Sequence, residues 1–185
     1  MSKRIFDFVV SLLGLISLSW LLLLIFLSIA IGNKHNGIFK QLRVGRNGNL
    51  FMIYKFCTMH PKTQSISGLS QFLRDSKLDE LPQLYNVLIG DMSFVGPRPD
   101  IPGYYDTLKG DERKVLQLRP GITSEASLKY RDEEETLANH ENAQQHNDSV
   151  IFPDKIKMNL EYYHRRTFWY DIKIIMRTLF GSWKQ

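Results

Sequence analysis

Two adjacent carboxylates, Asp79 and Glu80, stand directly before an apolar segment with helical spacing. Asp79 lies where a helix N-cap would lie, and Pro82 falls in the first turn, where a missing N–H costs nothing. In one interpretation Asp79 caps the helix and Glu80 complements the helix dipole. In the other, one carboxylate is a nucleophile and the other holds a metal ion. The two interpretations are compatible, because helix starts also bind phosphate.

Two arginines lie on turns that proline and glycine make rigid: Arg98 within residues 96–99, and Arg119 at the start of residues 119–123. A guanidinium binds phosphate through two hydrogen bonds, so two arginines on fixed turns favour recognition of a diphosphate. In the alternative, each arginine satisfies nearby carbonyl groups. Arg74, shortly before the carboxylates, is either a further phosphate ligand or a surface residue.

Composition narrows the class of protein. The chain has 185 residues and a net charge of +5, enough for one modest domain with a mild attraction for anionic membrane surfaces or phosphate ligands. Nucleic acid is not predicted as a partner, because the sequence has neither zinc-finger spacing nor a basic helix. Cys57 is the only cysteine, which excludes an intrachain disulfide and suits a reducing compartment.

Residues 8–31 are almost wholly apolar and hold no charge, a length that suits a membrane helix better than a signal peptide or a buried core helix. Lys3 and Arg4 precede this segment and further basic residues follow it, so the positive-inside rule leaves its orientation open. A re-entrant hairpin would keep the basic residues on both sides of the segment in the cytoplasm. Ser17 and Ser19 can bond back to helix carbonyls and bend the chain there.

Periodicity and turn residues predict the remaining elements. Asn47-Gly48 indicates a hairpin between strands at residues 38–39 and 50–54. Helices are expected over residues 101–118, 153–163 and 170–183, and a strand over residues 124–130. The last helix carries apolar residues on one face and basic residues elsewhere, which is typical of an interfacial helix or of a packed core helix.

The segment LDELPQLYNVLIGDMSFVGPRP at residues 78–99, with KFCTM at 55–59 and RPGIT at 119–123, resembles the bacterial sugar transferases, the monotopic phosphoglycosyl transferases. The resemblance runs from residue 3 to about residue 179. It implies that Lys55 lies in the active site near phosphate. The chain departs from the family where a Ser-Pro pair breaks the membrane helix, since Ser17–Trp20 contains no proline, and at Cys57, where an arginine often stands.

The resemblance also implies a reaction. The donor is a UDP-sugar, the acceptor a polyprenyl phosphate such as undecaprenyl phosphate, and the products are a polyprenyl-diphosphate sugar and UMP. Asp79 attacks the phosphate next to the sugar and forms an aspartyl-phosphosugar. Mg²⁺ held by Glu80 with Asp79, together with Lys55, Arg98 and Arg119, offsets the repulsion between the anions. This would be the first membrane step of surface glycan synthesis.

Two other functions stay open from the residues. One is a metal-dependent membrane glycosyltransferase without a covalent intermediate, and the other is a membrane scaffold without enzymatic activity. Neither the transferred sugar nor the oligomeric state follows from the sequence, and a homo-oligomer is open.

The expected fold is α+β. A re-entrant membrane helix (residues 1–33) precedes a mostly helical cytoplasmic catalytic domain (residues 34–185) with a short β-hairpin, interfacial amphipathic helices and a C-terminal helix on the membrane surface. The expected location is the cytoplasmic face of the bacterial inner membrane, with membrane lipid as a partner.

Overall fold

The computed structural model describes residues 2–33, 36–60, 63–138 and 140–181. These residues form two compact units. The first holds the described residues of Met1–Arg43 and Leu50–Met92, and the second those of Val44–Asn49 and Ser93–Gln185. The architecture mixes helices with small sheets and is mostly helical, as the sequence predicts. The division into a membrane helix and a cytoplasmic catalytic domain stays a prediction.

The first unit contains four helices and a two-stranded sheet. Their bounds are α1 Ser2–Ser17, α2 Ser19–Asn33, β1 Ile38–Val44, β2 Leu50–Phe56, α3 Gly68–Asp75 and α4 Gln83–Ile89. The predicted hairpin is confirmed, although β1 is longer than expected. Its turn places Asn47 at φ 61° and Gly48 at φ 82°, the left-handed conformation that these two residue types tolerate best.

The chain bends between α1 and α2, where the two serines were expected to bend it. The axes of the two helices differ by 62°. The Ser17 hydroxyl donates to the Gly14 carbonyl at 3.3 Å, and the Ser19 hydroxyl donates to the Ile16 carbonyl at 2.8 Å. Among the described residues no single helix is long and apolar enough to cross a membrane, whereas the bent pair together meets that test by length and composition.

Helix α1 packs a polar face, and not its apolar face, against α4. Arg4, Asp7, Ser11 and Gly14 follow one another at helical spacing. Asp7 and Ser11 are buried, and a side chain on Gly14 would meet Leu84 of α4 at 3.3 Å. Seven large apolar side chains of α1 point elsewhere and are exposed, whereas Phe6 and Leu15 are half-buried; the seven are Ile5, Phe8, Val9, Val10, Leu12, Leu13 and Ile16.

A buried amide joins β2 to α4. The Asn86 side chain donates to the Met52 carbonyl at 2.7 Å and accepts from the Tyr54 N–H at 3.2 Å. Asn86 is fully buried, so both ends of its amide are paired at a depth where an unpaired polar group would be costly. This contact holds the middle of α4 against the strand that carries Lys55.

The second unit is built around a pair of strands that the sequence does not reveal. Strands β3 (Ser93–Val95) and β4 (Gly121–Thr123) are parallel, with Ser93 opposite Gly121 and Val95 opposite Thr123. Five helices follow: α5 Glu125–Lys129, α6 Glu133–Ala138, α7 Ala143–His146, α8 Phe152–Arg165 and α9 Phe168–Phe180.

Two secondary-structure predictions in this unit are wrong. Residues 101–118 form short 3₁₀ turns at Tyr105–Thr107 and Gly110–Gln117, because Gly103 and Gly110 take left-handed conformations that interrupt a helix. Residues 124–130 form helix α5 and not a strand. The Ser124 side chain accepts from the Ser127 N–H at 2.9 Å and so caps the helix start.

Helices α8 and α9 confirm the predicted helices near the C-terminus, with α9 ending at Phe180; the predicted residues 182–183 lie outside the described part of the chain. Ile174 of α9 is fully buried, and the hydroxyls of Thr178 and Thr123 lie 2.7 Å apart, so one side of α9 packs on β4. The other side exposes Trp169 at 78% and Phe180 at 74%. The helix therefore combines a core face with an exposed aromatic face, and its place on a membrane surface stays a prediction.

Candidate active site

Asp79 lies in a 3₁₀ turn, Leu78–Glu80, that separates α3 from α4. The prediction that Asp79 caps the helix is wrong: α4 begins at Gln83 and is preceded by Pro82, with no side-chain cap. The 3₁₀ turn is separate from α4, and Pro82 occupies the position directly before the helix, so Asp79 lies four residues before the first residue of α4. The Asp79 side chain is thereby released from capping and turns into the unit.

The Asp79 carboxylate is buried without being satisfied. Its residue is 6% exposed, and among the described residues its Oδ1 atom is buried without a hydrogen-bond partner. Burial raises the pKa of Asp79 above its ordinary value, and the negative charge of Glu80 raises it further. A buried, unpartnered carboxylate oxygen is costly for the fold, and such groups occur where chemistry requires them.

Three cations oppose this rise in the pKa of Asp79. The charges of Lys55, Lys77 and Arg74 all lower it, in that order of strength. Lys55 lies in β2 and Arg74 lies near the end of α3. Lys77 directly precedes the 3₁₀ turn. The structure therefore brings together four of the six predicted site residues in one unit, namely Lys55, Arg74, Asp79 and Glu80.

Lys77 is a site residue that the sequence reasoning missed. It has φ 58° and ψ 17°, a left-handed conformation that costs a non-glycine residue free energy and that recurs at functional sites. Its position two residues before Asp79 was a usable signal, since a basic side chain beside a candidate nucleophile supports the anionic form. Lys55 also lies over the Phe39 ring, 5.2 Å from its centroid, which restricts where its ammonium group points.

The two carboxylates suit Mg²⁺ better than they suit a metal ion that needs three or more protein ligands. Among the described residues, no group of three or more His, Cys, Asp or Glu side chains gathers as a metal site. Mg²⁺ is commonly held by one or two carboxylates, with water and substrate phosphates completing its shell. Asp79, with its unpartnered oxygen, and the half-buried Glu80 supply a donor set of that kind.

Arg98 and Arg119 lie in the second unit, on turns that touch one another. The Gly121 N–H donates to the Pro97 carbonyl at 2.8 Å, and a side chain on Gly96 would collide with the Arg119 carbonyl. The two glycines are therefore required by the close approach of the turns. Arg98 is exposed and Arg119 is half-buried, so two guanidinium groups stand on one rigid support.

Comparison with known proteins places the chain in a family. The model of the family described as "Bacterial sugar transferase" matches residues 1–185. The chain is 32% identical over 203 residues to "Galactosyl transferase CpsE" of Streptococcus agalactiae, covering 96% of this chain and 41% of that protein. It is also 32% identical over 194 residues to "UDP-glucose:undecaprenyl-phosphate glucose-1-phosphate transferase" of Klebsiella pneumoniae, covering 96% and 39%.

A protein of the same printed name from Caulobacter vibrioides is 32% identical over 193 residues, covering 96% of this chain and 68% of that protein. The chain spans about two fifths of the length of the first two relatives. The family match covers the whole chain, including the turn that carries Asp79 and Glu80. The chain belongs to the bacterial sugar transferase family.

Proposed function

We propose that this protein transfers a sugar phosphate from a UDP-sugar to a polyprenyl phosphate such as undecaprenyl phosphate, releasing UMP. The observation that carries the proposal is the Asp79 carboxylate, which is buried, has an unpartnered oxygen and is approached by three cationic side chains. The names of the Klebsiella pneumoniae and Caulobacter vibrioides relatives support this pair of substrates. The reaction would take place at the cytoplasmic face of the bacterial inner membrane and begin a surface glycan.

The proposed reaction has two displacements at phosphorus. An Asp79 carboxylate oxygen attacks the phosphorus next to the sugar, the bond from that phosphorus to the bridging oxygen breaks, and UMP leaves with the bridging oxygen. A phosphate oxygen of the lipid then attacks the same phosphorus. The acyl phosphate bond breaks, the Asp79 carboxylate is regenerated, and the polyprenyl-diphosphate sugar is released.

Electrostatics decides whether a carboxylate can attack a dianionic donor. Lys55, Arg74 and Lys77 place positive charge around Asp79, which lowers the repulsion before and during attack. The unpartnered Oδ1 has no protein hydrogen bond to break before it reacts. Arg98 and Arg119 are assigned to the donor diphosphate, because a guanidinium matches two phosphate oxygens at once.

Mg²⁺ would be held by Glu80 and Asp79, and when bound it would neutralise charge on the phosphate oxygens. Chelation should therefore stop UMP release, and added Mg²⁺ should restore it. Glu80→Gln should raise the Mg²⁺ concentration needed for half-maximal activity. Full activity in excess chelator would remove the metal from the proposal, and an unchanged Mg²⁺ requirement in Glu80→Gln would remove Glu80 as its ligand.

The deciding experiment uses a UDP-sugar that is radiolabelled in the phosphate next to the sugar. Wild type should retain label on the protein when the lipid is omitted, and should release it on addition of polyprenyl phosphate. Asp79→Asn should lose both the label and at least about a hundredfold in turnover. The matched control is Asp75→Asn, because Asp75 is an exposed aspartate of the neighbouring helix α3.

The outcomes separate the proposed reaction from its two rivals. Turnover without protein-bound label would indicate a glycosyltransferase that forms no covalent intermediate. Near-normal turnover in Asp79→Asn would contradict the nucleophile assignment. Absence of turnover by the wild type with a panel of UDP-sugars would favour a scaffold.

A further inference from the structure

An apolar groove of about 630 Å³ lies within the first unit, between the bent helix pair and the sheet and helix that follow it. Its volume falls within the range of about 300–1,000 Å³ that is usual for small-molecule sites. We propose that this groove binds the first isoprene units of the polyprenyl phosphate acceptor. The inference rests on the proposed function and adds to it the place where the lipid chain lies.

The walls of the groove connect the helix pair to the turn of the nucleophile. One wall is apolar and comes from both arms of the bend; it consists of Leu15, Leu22, Leu23 and Phe26. Pro82 also lines the groove, and it follows Asp79 by three positions and Glu80 by two. A chain that lies along the groove therefore has its apolar part against the helix pair and one end beside the catalytic turn.

Successive side chains of a strand point to opposite faces of the sheet, and this places the groove and Lys55 on different faces. Ile38 and Lys40 of β1, and Tyr54 and Phe56 of β2, line the groove. The residues between them, Phe39 and Lys55, therefore lie on the other face of the sheet, where Lys55 lies over the Phe39 ring. The groove face suits the apolar part of a substrate, while the cation that acts on Asp79 belongs to the opposite face.

The few polar groups of the groove select an anionic amphiphile. Lys40 is exposed, and its ammonium nitrogen lies 5.7 Å from the centroid of the Tyr54 ring. A cation at an apolar groove attracts a lipid with a negatively charged head group, and it makes no favourable electrostatic contact with a neutral hydrocarbon. The polyprenyl phosphate is the substrate of the proposed reaction that has both parts.

The aromatic groups favour an isoprenoid over the acyl chain of a phospholipid. Tyr54 and Tyr85 line the groove with an edge-to-face contact, 5.7 Å between centroids at 75°. A methyl-branched chain with regular double bonds has fewer freely rotating bonds than a saturated acyl chain. It therefore loses less conformational entropy when it is fixed against such a wall.

A pair of tryptophan substitutions tests the assignment. Leu23 lines the groove and is 56% exposed, whereas its neighbour Leu24 is 54% exposed and is not among the groove-lining residues. Leu23→Trp should fill the groove and raise the KM for polyprenyl phosphate about tenfold, which corresponds to about 1.4 kcal/mol of lost binding free energy. Leu24→Trp should leave that KM unchanged. The KM for the UDP-sugar should not change in either variant.

Labelling of Asp79 from the radiolabelled donor needs no lipid, so it separates this inference from the proposed function. Retained labelling in Leu23→Trp with slow release by polyprenyl phosphate would support the groove. Equal KM values for the lipid in the two tryptophan variants would overturn the groove while leaving the transferase reaction intact. Absence of labelling in wild type would instead overturn the covalent mechanism.

A second measurement on the wild type covers the case in which Leu23→Trp fails to fold. A polyprenyl phosphate analogue with a photoreactive group on an early isoprene unit should crosslink to the peptides that contain Leu22–Phe26 or Tyr85. Excess phosphatidylglycerol should leave these crosslinks in place. Loss of the crosslinks to phosphatidylglycerol would assign the groove to bilayer lipid, and crosslinks confined to α9 would also contradict the inference.

Discussion

The Arg4 guanidinium donates a hydrogen bond to the Val87 carbonyl at 2.5 Å, although the two residues are 83 positions apart. Its second terminal nitrogen donates to the Leu88 carbonyl at 2.6 Å. A side chain on Gly90, which has φ 96°, would lie 3.1 Å from the same guanidinium. The first turn of the chain therefore closes the C-terminal end of α4, the helix that begins three residues after Glu80.

Arg4→Gln should destabilise the first unit by about 1–3 kcal/mol, since charge-assisted, partly buried hydrogen bonds to the carbonyls of Val87 and Leu88 and a favourable dipole contact are lost. Thermal unfolding of the purified protein in detergent measures the change. Lys109→Gln is the matched control, because it removes one exposed positive charge from the second unit. Equal melting temperatures in the two variants would show that the contact adds no stability.

Asp79→Asn should stabilise the protein at neutral pH while abolishing turnover. The pKa of Asp79 is raised in the folded chain above its ordinary value of 3.8, so the folded state holds this proton more tightly than the unfolded state. The resulting destabilisation is absent below pH 3.8, grows as pH rises through the folded-state pKa, and is complete above it.

The asparagine carries no charge, so it removes the cost of ionising a buried group. A gain of about 1 kcal/mol is typical for such a change, and it corresponds to a rise in Tm of about 2–4 °C. The difference from wild type should shrink as the pH of the unfolding buffer is lowered. A lower Tm for Asp79→Asn than for wild type at pH 7 would contradict the argument.

Lys77→Gln should move the acid limb of the activity profile to higher pH. The positive charge of Lys77 lowers the pKa of Asp79, so its loss raises that pKa further. Since attack requires the ionised carboxylate, turnover should then fail at a higher pH than in wild type. The measurement is the rate of UMP release over a pH series, with Lys77→Arg as the control that keeps the charge. Superimposable profiles for wild type and Lys77→Gln would exclude this role.

The sequence predicted those structural elements whose cause lies within a few neighbouring residues. The Asn47-Gly48 turn, the bend between Ser17 and Ser19, and helix α8 each follow from residue types or periodicity inside the element. The confirmed elements share this local origin. At the bend, the hydroxyl of each serine donates to a carbonyl three residues back.

Long-range pairing could not be predicted in the same way. Strands β3 and β4 have three residues each, and Gly121 pairs opposite Ser93 through contacts that no local pattern encodes. From the sequence, the glycines of the two arginine turns were predicted only to favour turns. In the structure they also allow the backbone of Gly96 to approach the Arg119 carbonyl closely. Lys77 was missed although its place two residues before Asp79 was visible, because no local pattern predicts its left-handed conformation at the start of the turn.

The exposed side of the helix pair gives the topology prediction its physical basis. Helix α1 buries Asp7 and Ser11 and exposes four of its five leucines and isoleucines, an arrangement that suits a hydrocarbon surrounding better than water. Lys3 and Arg4 precede the apolar segment, and carrying them across a membrane opposes the positive-inside preference. We therefore expect the chain to enter the membrane and to return to the same face at the 62° bend.

Single cysteines at Ser2 and Asn36, in a Cys57→Ser background, test this topology in intact cells with a membrane-impermeant thiol reagent. Both positions should be protected, because both ends of the helix pair then face the cytoplasm. Detergent permeabilisation should make both cysteines reactive, which controls for burial within the protein. Labelling at Ser2 with protection at Asn36 would demonstrate a straight span. In that case the hydroxyl bonds of Ser17 and Ser19 would bend a crossing helix and would not turn the chain back.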